Sequence, residues 1–211
     1  MEAIIKNIKQ ETYDVKVFTL ELKNNLNFKP GQFVMLKLPD LPPRAYSIST
    51  PQNKNIIELT IKIIPDGLVT QQVNKLKEND EIDITGPYGK FYFENEEEIT
   101  LIATGCGVAS LICIARYIKE KNIKTKFKIV YSARTEQDII FKQELDELNT
   151  IYTITRDPNY QGFKGRITKE FIKEQCNLNS TFYLCGLPDF VKQTSEFLEE
   201  LNAKEIKKEI Y

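Results

Sequence analysis

The chain has 211 residues, of which 41% are hydrophobic and 28% charged, so it can form one large or two small globular domains. Its 29 basic and 30 acidic side chains leave a net charge of −1, which provides no overall basic field for nucleic acid. The sequence contains no histidine, which excludes the Ser-His-Asp triad, histidine-ligated zinc and a histidine general base.

The N-terminal segment and the cysteines predict a cytoplasmic protein with no membrane span. Residues 1–6 contain no basic stretch followed by a long apolar run, so no signal peptide is expected. The longest apolar segment, residues 101–118, is interrupted by polar and small residues. The four cysteines stand far apart, at positions 106, 113, 176 and 185, so no metal site is predicted.

The first half of the chain predicts short strands. Segments rich in Ile, Val, Phe and Tyr occupy residues 4–8, 13–22, 32–38, 44–49, 56–64 and 81–85. Proline and glycine separate them, and only residues 69–76 are predicted to be helical. Closely spaced short strands indicate a small antiparallel β-barrel.

The second half follows an acidic linker at residues 94–98 and has a different pattern. Predicted strands at residues 100–103, 126–131, 151–154 and 181–184 alternate with predicted helices at 110–120, 139–148, 168–175 and 189–201. This alternation predicts a doubly wound parallel sheet, which binds ligands at its carboxyl edge. We therefore expect two domains, a β-barrel at residues 1–97 and a nucleotide-binding α/β domain at residues 98–211.

Two motifs in the first half suit a phosphorylated, planar ligand. Arg44-Ala45-Tyr46-Ser47 offers a forked cation for phosphate, an aromatic ring for a flat group and a hydroxyl. Gly67-Leu68-Val69-Thr70 opens the predicted helix, where free backbone N–H groups favour a phosphate. Each pattern alone is also typical of an edge strand or an ordinary turn.

Three motifs in the second half lie where strands end. Thr104-Gly105-Cys106-Gly107 connects a strand to a helix, but Ser110 replaces the third glycine of the dinucleotide fingerprint. Cys185-Gly186-Leu187-Pro188 likewise follows a strand. The sequence ends in Glu209-Ile210-Tyr211, which taken alone is typical of a frayed terminus.

The order of these motifs resembles the ferredoxin–NADP⁺ reductase family over essentially the whole chain. The shared pattern runs RxYS, Gly-x-x-Thr, GPYG at residues 86–89, TGxG, CGxP and a final Glu-x-Tyr. The resemblance implies a flavin-binding β-barrel followed by a pyridine-nucleotide α/β domain. It also implies an FAD-dependent oxidoreductase that transfers hydride between NADP(H) and FAD, and single electrons to or from ferredoxin or flavodoxin.

The resemblance implies the residues that contact FAD. Arg44 would bind the pyrophosphate, Tyr46 would pack beside the ribityl chain and the isoalloxazine ring, and Ser47 would lie near flavin N5. Tyr211 would stack on the flavin face where nicotinamide must enter. The other implied FAD contacts are Ala45, Gly67, Leu68, Val69 and Thr70. The adenine-side loop of the family is not recognisable, so FAD rather than FMN depends mainly on the Gly67 turn.

The resemblance also implies the nicotinamide nucleotide site. Cys185 would lie near nicotinamide C4, and Glu209 near Ser47 and Cys185, so that the implied catalytic set is Ser47, Cys185, Glu209 and Tyr211. The implied pyrophosphate and loop contacts are Thr104, Gly105, Gly107, Gly186 and Pro188. The residues expected around the adenosine and a 2′-phosphate are Ser132, Arg134, Thr155, Arg156 and Arg166. Because charge-assisted donors suit a 2′-phosphate, NADP is favoured over NAD.

Two other functions stay open at this point. The chain could be an NADH-dependent reductase component or electron-transfer subunit of an oxygenase, cytochrome or hydrogenase-type complex. It could also be a non-catalytic module that binds flavin or nucleotide. No docking patch for an electron carrier stands out, and the lysine-rich residues 204–208 are expected to form a solvated face.

Overall fold

The computed structural model describes residues 1–51 and 55–211. They form two six-stranded sheets, one antiparallel and one parallel, with strand orders β4-β3-β6-β1-β2-β5 and β10-β9-β8-β7-β11-β12. The predicted fold class, an antiparallel β-barrel followed by a doubly wound α/β sheet, is therefore confirmed. In the described part of the chain, no helix has the length and apolar composition needed to cross a membrane.

The antiparallel sheet is built from strands that alternate between buried and exposed side chains. In β5, for example, Ile57, Leu59 and Ile61 all point into the core. An isolated bridge between Ile48 and Leu59 brings the ends of the sheet together, which closes it into a barrel. The elements are β1 (Glu2–Thr12), β2 (Val15–Leu22), β3 (Phe33–Lys37), β4 (Arg44–Ser47), β5 (Ile56–Lys62), α1 (Leu68–Val73) and β6 (Glu81–Tyr88).

The parallel sheet is covered by helices on both faces, so successive residues of its central strands are buried. Leu101 of β7 packs into the core that includes α2, and the next residue, Ile102, packs into the core that includes α4 and α5. The elements are β7 (Glu98–Thr104), α2 (Val108–Glu120), β8 (Lys126–Ala133), α3 (Lys142–Glu147), β9 (Ile151–Ile154), β10 (Phe163–Lys164), α4 (Lys169–Gln175), β11 (Thr181–Gly186), α5 (Pro188–Glu200) and β12 (Glu205–Ile210).

The sheet contains two strands that the sequence did not indicate, β10 and β12. β12 runs along the edge beside β11 and includes Lys207 and Lys208, two of the lysines that were expected to form a solvated face. That expectation is wrong for Lys207, whose side chain is only 14% exposed and donates to Glu94 at 2.8 Å. Alternation along the strand turns Lys207 towards the acidic linker, while its neighbour Lys208 stays exposed.

Helix α2 joins the two sheets through one arginine. The Arg116 guanidinium donates to the Ser49 carbonyl oxygen at 2.8 Å and to Glu58 at 3.0 Å, both in the barrel half of the chain. The same group donates to Glu144 of α3 at 2.7 Å. Beside it, the Cys113 thiol donates to the Thr50 carbonyl oxygen at 2.9 Å. The bonds to Ser49 and Thr50 hold α2 against the segment that follows β4.

Candidate functional site

The loops after β7 and β11 pack against each other at the carboxyl edge of the parallel sheet. Strand order reverses between these two strands, which is the place where doubly wound sheets form a ligand crevice. A Cβ at Gly107 would lie 2.3 Å from the Cys185 carbonyl oxygen, and one at Gly186 would lie 2.4 Å from Thr104 Oγ1. Only glycine permits this approach, so both glycines are needed for the shape of the crevice.

Tyr211 lies across the turn that follows β7. Its hydroxyl donates to the Thr104 carbonyl oxygen at 2.6 Å, and its backbone N–H donates to the Gly186 carbonyl oxygen at 3.3 Å. Burial of the hydroxyl end raises the pKa of Tyr211, although 51% of the residue surface remains exposed. A Cβ at Gly105, where φ is +50°, would lie 2.9 Å from this hydroxyl. The glycine therefore makes room for the phenol.

Cys185 and Glu209 are direct neighbours on β11 and β12. Cys185 is 1% exposed, and burial raises the pKa of its thiol to about 12, so the thiol is neutral at physiological pH. Burial also raises the pKa of Glu209 to about 7. Its carboxylate oxygen faces Gly89 at the end of β6, since a Cβ there would lie 3.3 Å away. Burial therefore favours the protonated form of Glu209, which lies between the two sheets, more than in an exposed carboxyl group.

The predicted flavin strand β4 carries its polar groups towards the same region. Arg44 and Ala45 are exposed, whereas Tyr46 and Ser47 are half-buried. Burial raises the pKa of Tyr46 to about 12, and the Cys106 thiol is close enough to influence its ionisation. Among the described residues, the buried Tyr46 hydroxyl has no hydrogen-bond partner. A buried hydroxyl without a protein partner is available to a bound molecule or to an ordered water.

The Gly67 turn has a tight local structure. The Thr70 hydroxyl accepts a hydrogen bond from the Ile64 backbone N–H at 3.1 Å, and a Cβ at Gly67 would lie 2.3 Å from that hydroxyl. Val69 is buried against the barrel, while Leu68 is 63% exposed. Thr70 therefore stabilises the turn with its side chain, and the backbone N–H groups of the first helical turn are left without helical acceptors.

The residues predicted for the adenosine end lie at two places. Thr155 follows β9 and bonds through its hydroxyl to the Ala133 carbonyl oxygen at 3.2 Å, and the Arg156 backbone N–H bonds to the Arg134 carbonyl oxygen at 2.7 Å. Ser132 is buried on β8 next to Thr104 of β7. Arg166 instead lines a cavity of about 230 Å³ beside β9, together with Thr153.

The Arg134 side chain is already engaged within the protein. Its guanidinium donates to the Tyr13 hydroxyl and to Asp138, each at 2.6 Å. Tyr13 belongs to the turn between β1 and β2, so this contact joins the barrel to the carboxyl end of β8. No sequence motif indicated the pairing, because the two residues are 121 positions apart. If Arg134 also contacts the adenosine, it must do so through guanidinium N–H groups that are not engaged in these two bonds.

The chemistry of the crevice fits a flavin beside a nicotinamide nucleotide. Thr104 Oγ1, like the Tyr46 hydroxyl, is buried and has no partner among the described residues. Pro188 opens α5 directly after the Gly186 loop, so the first N–H groups of that thirteen-residue helix point to the same edge. These groups together offer hydrogen bonds to a ring system and backbone contacts to phosphates.

Comparisons with known proteins match both halves of the chain to oxidoreductase domains. A family model described as an oxidoreductase FAD-binding domain matches residues 2–93, and one described as an oxidoreductase NAD-binding domain matches residues 101–196. The FAD/NAD-binding domain of nitric oxide dioxygenase from Vibrio cholerae superposes with a TM-score of 0.92 at 21% identity, covering 100% of this chain and 98% of that one.

Two curated relatives show the range of the family. NADH-cytochrome b5 reductase 2-A of Vanderwaltozyma polyspora is 36% identical over 163 residues, which are 70% of this chain and 55% of that protein. A probable dihydroorotate dehydrogenase B (NAD(+)) electron transfer subunit of Pyrococcus furiosus is 30% identical over 197 residues, 92% of this chain and 75% of that one. The chain thus spans just over half of the first relative. It belongs to the ferredoxin–NADP⁺ reductase-like family of flavoprotein oxidoreductases, with an FAD-binding domain followed by an NAD-binding domain.

Proposed function

We propose that this chain is a flavin-dependent NAD(P)H oxidoreductase that delivers electrons to a separate protein carrier. The observation that carries the proposal is the position of Tyr211, bonded to Thr104 at the crevice between the two sheets. An aromatic ring whose side chain is held there by one hydrogen bond can cover a flavin and yield its place to nicotinamide. When bound, FAD supplies the ability to accept a hydride and to release electrons one at a time.

The barrel residues hold the flavin in this proposal. Arg44 pairs with the pyrophosphate, and Leu68, Val69 and Thr70 offer backbone N–H groups after Gly67. Tyr46 gives its unpartnered hydroxyl to the ribityl side, and Ser47 lies at the reactive edge. Ala45 is exposed, so its small side chain leaves space beside the ring.

The sheet boundaries support a barrel unit at residues 1–97 and a nucleotide-binding unit at residues 98–211.

The residues at the carboxyl edge position the nicotinamide. Gly105, Gly107 and Gly186 allow the pyrophosphate to approach the backbone, with Thr104, Ser132 and Pro188 beside it. Cys185 contributes a small, neutral thiol that limits the distance between the rings without reacting. Glu209 holds or releases one proton near neutral pH, next to Cys185.

Nucleotide preference depends on the exposed Thr155 and Arg156, with Arg134 beside them and Arg166 further along the edge. Their charge supports NADP, since a 2′-phosphate favours guanidinium donors. Both curated relatives instead carry NADH or NAD(+) in their names. An Arg156→Ala substitution tests whether the chain prefers NADP or NAD. If NADP is preferred, the substitution should weaken NADPH binding and leave NADH binding nearly unchanged.

The electron carrier in this proposal is ferredoxin or flavodoxin, in a cytoplasmic setting. A second candidate is a role as the electron-transfer subunit of a larger assembly. It is favoured by the Pyrococcus furiosus relative, which is named as such a subunit and aligns with 92% of this chain. In the second case, the isolated protein would reduce small acceptors but not free ferredoxin.

A steady-state assay tests the proposal. FAD-loaded protein should oxidise NADPH or NADH with ferricyanide and, for the first candidate, reduce ferredoxin or flavodoxin. Turnover with ferricyanide but with neither carrier would support the subunit role. Absence of turnover with every acceptor, although FAD stays bound, would contradict both and favour a non-catalytic module.

A further inference from the structure

The Lys207 side chain holds the acidic linker against β12. Its ammonium group donates to Glu96 at 2.5 Å, to Glu94 at 2.8 Å and to the Tyr183 hydroxyl at 3.1 Å. These bonds use all three N–H donors that a lysine has. Because the Lys207 and Glu96 side chains are only 14% and 15% exposed, water screens the charge pair between them weakly. We call these four residues the linker clamp.

Tyr183 connects the linker clamp to the core of the parallel sheet. It is fully buried in β11 and is the register partner of Lys207 on β12. Burial and the Glu96 carboxylate raise the pKa of Tyr183, so its hydroxyl keeps the proton that it donates to Glu96 at 2.5 Å. The same hydroxyl lies 3.0 Å from the Tyr92 carbonyl oxygen. The segment that follows β6 is therefore fixed to both β11 and β12.

Lys207 shares one face of β12 with Glu209, and Tyr211 follows at the end of the strand. Lys207 and Glu209 are half-buried, whereas Lys208 and Ile210 on the opposite face are exposed. At ~3.3 Å per residue, Tyr211 lies about 13 Å from Lys207 along the strand. An effect of Lys207 on Tyr211 must therefore pass through the strand.

β12 is held by few interactions besides its pairing with β11. In the described part of the chain, no strand pairs with its other edge. Among the described residues of β12, Lys207 is the only charged side chain that forms an ion pair. An edge strand has one row of backbone hydrogen bonds, so a side-chain anchor has a large influence on its position.

We propose that Lys207 is a positioning residue for the flavin site, because the linker clamp fixes β12 and thereby sets the place of the Tyr211 ring in the crevice. The inference rests on the proposed function and extends it, since it gives the segment between the two domains a part in nucleotide binding. Lys207 itself contacts neither the flavin nor the nucleotide in this proposal.

Lys207→Met should tighten nucleotide binding. The substitution keeps the apolar stem and removes the ammonium group, so the end of β12 is held less firmly and the Tyr211 ring covers the flavin less persistently. Affinity for NADP⁺ and NAD⁺ should rise about two- to fivefold, which is less than for Tyr211→Ser. A direct effect of charge would have the opposite sign, because loss of a cation weakens the binding of an anionic nucleotide.

Glu96→Gln opens the linker clamp from the other side. It leaves β12 unchanged and keeps an oxygen for the Tyr183 hydroxyl, but it removes the ion pair with Lys207. Nucleotide affinity should rise here as well. Since one substitution removes a positive charge and the other a negative charge, a shift in the same direction excludes net charge as the cause.

Titration of the FAD-loaded protein with NADP⁺ and with NAD⁺, followed by flavin absorbance, measures these affinities. Matched controls are Lys208→Met and Glu97→Gln, which change exposed neighbours outside the linker clamp and should leave both dissociation constants unchanged. Each clamp substitution is also combined with Tyr211→Ser. There it should have no further effect, because the ring through which it acts is gone.

Two outcomes would overturn the inference while leaving the proposed function intact. The first is wild-type affinity for both nucleotides in the folded clamp variants, even with a lowered Tm, which would make the linker clamp purely structural. The second is a shift in affinity that persists unchanged in the Tyr211→Ser background. If thermal unfolding shows that Lys207→Met does not fold, Glu96→Gln decides. Failure of the wild-type FAD-loaded protein to bind either nucleotide would contradict the proposed function itself, and the inference with it.

Discussion

The phenolic oxygen of Tyr211 donates a 2.6 Å hydrogen bond to the carbonyl oxygen of Thr104, and this bond ties the segment after β12 to the turn after β7. A single hydrogen bond of this kind contributes about 0.5–1.5 kcal/mol. The ring is half exposed, so it can leave its position at low cost. Tyr211 therefore has the properties of a side chain that is displaced when a second ring enters the crevice.

Replacing Tyr211 by Ser should tighten the binding of nicotinamide nucleotide. The nucleotide no longer has to displace an aromatic ring, so we expect affinity for NADP⁺ or NAD⁺ to rise by about tenfold, which is roughly 1.4 kcal/mol. Titration of the FAD-loaded protein measures the change. Tyr211→Phe keeps the ring and loses only the bond to Thr104, so its affinity should rise much less. Equal affinities for wild type and Tyr211→Ser would contradict the stacking role.

Adding a methyl group at Gly107 should disrupt the packing of the two loops. The new Cβ would meet the Cys185 carbonyl oxygen at 2.3 Å, so one loop must move, which costs about 2–4 kcal/mol. Gly165→Ala is the control, because nothing lies within 4 Å of that Cβ and only its φ of +94° is unfavourable. Denaturant unfolding should show a larger loss for Gly107→Ala. Equal losses would show that the loops do not depend on this close approach.

The raised pKa of Glu209 should make stability depend on pH. Its pKa is about 7 in the folded chain and near 4.5 when exposed, so the folded state holds the proton more tightly. The stabilisation is complete below pH 4.5 and is lost as pH rises through 7. Because the side chain is half-buried, the loss should be about 1–2 kcal/mol.

Comparison with Glu209→Gln isolates this effect. The free energy of unfolding of the wild type should fall relative to that of the variant between pH 5 and pH 8, two values that bracket the titration. Parallel curves for the two proteins would show that the carboxyl group titrates normally. The variant retains the shape of Glu209, so a difference in slope reports the proton rather than packing.

Arg116 should contribute strongly to the contact between the two sheets. Arg116→Met leaves Glu58 and Glu144 without their partner in a half-buried place, so we expect a loss of about 2 kcal/mol in unfolding free energy. Lys23→Met breaks the exposed pair with Glu2 and should change little. Similar stabilities of the two variants would argue that the Arg116 contacts are as weak as a surface pair.

The sequence predicted both sheets and the motifs of the crevice, because each depends on a local pattern. Tyr46 is followed by Ser47 in a strand, and the glycines at 105 and 107 mark the place where a strand turns into a helix. Periodicity and turn residues are read within about ten positions of the chain. The relative arrangement of the loops then follows from the topology of a doubly wound sheet.

Contacts between distant segments were not predictable in this way. The pairing of Tyr13 with Arg134 joins two turns in different sheets. Lys207 looks like one of several solvated lysines until β12 places it beside Glu94. Such pairs depend on how the two sheets pack together, and a single sequence holds no signal of that packing.

The most direct test of the account is an anaerobic titration of the FAD-loaded protein with NADPH and, separately, with NADH. The account predicts a yellow protein whose flavin absorbance is bleached by about one equivalent of nucleotide, because each nucleotide donates one hydride. A protein that remains colourless after incubation with FAD, or a yellow protein that neither nucleotide bleaches, would contradict it.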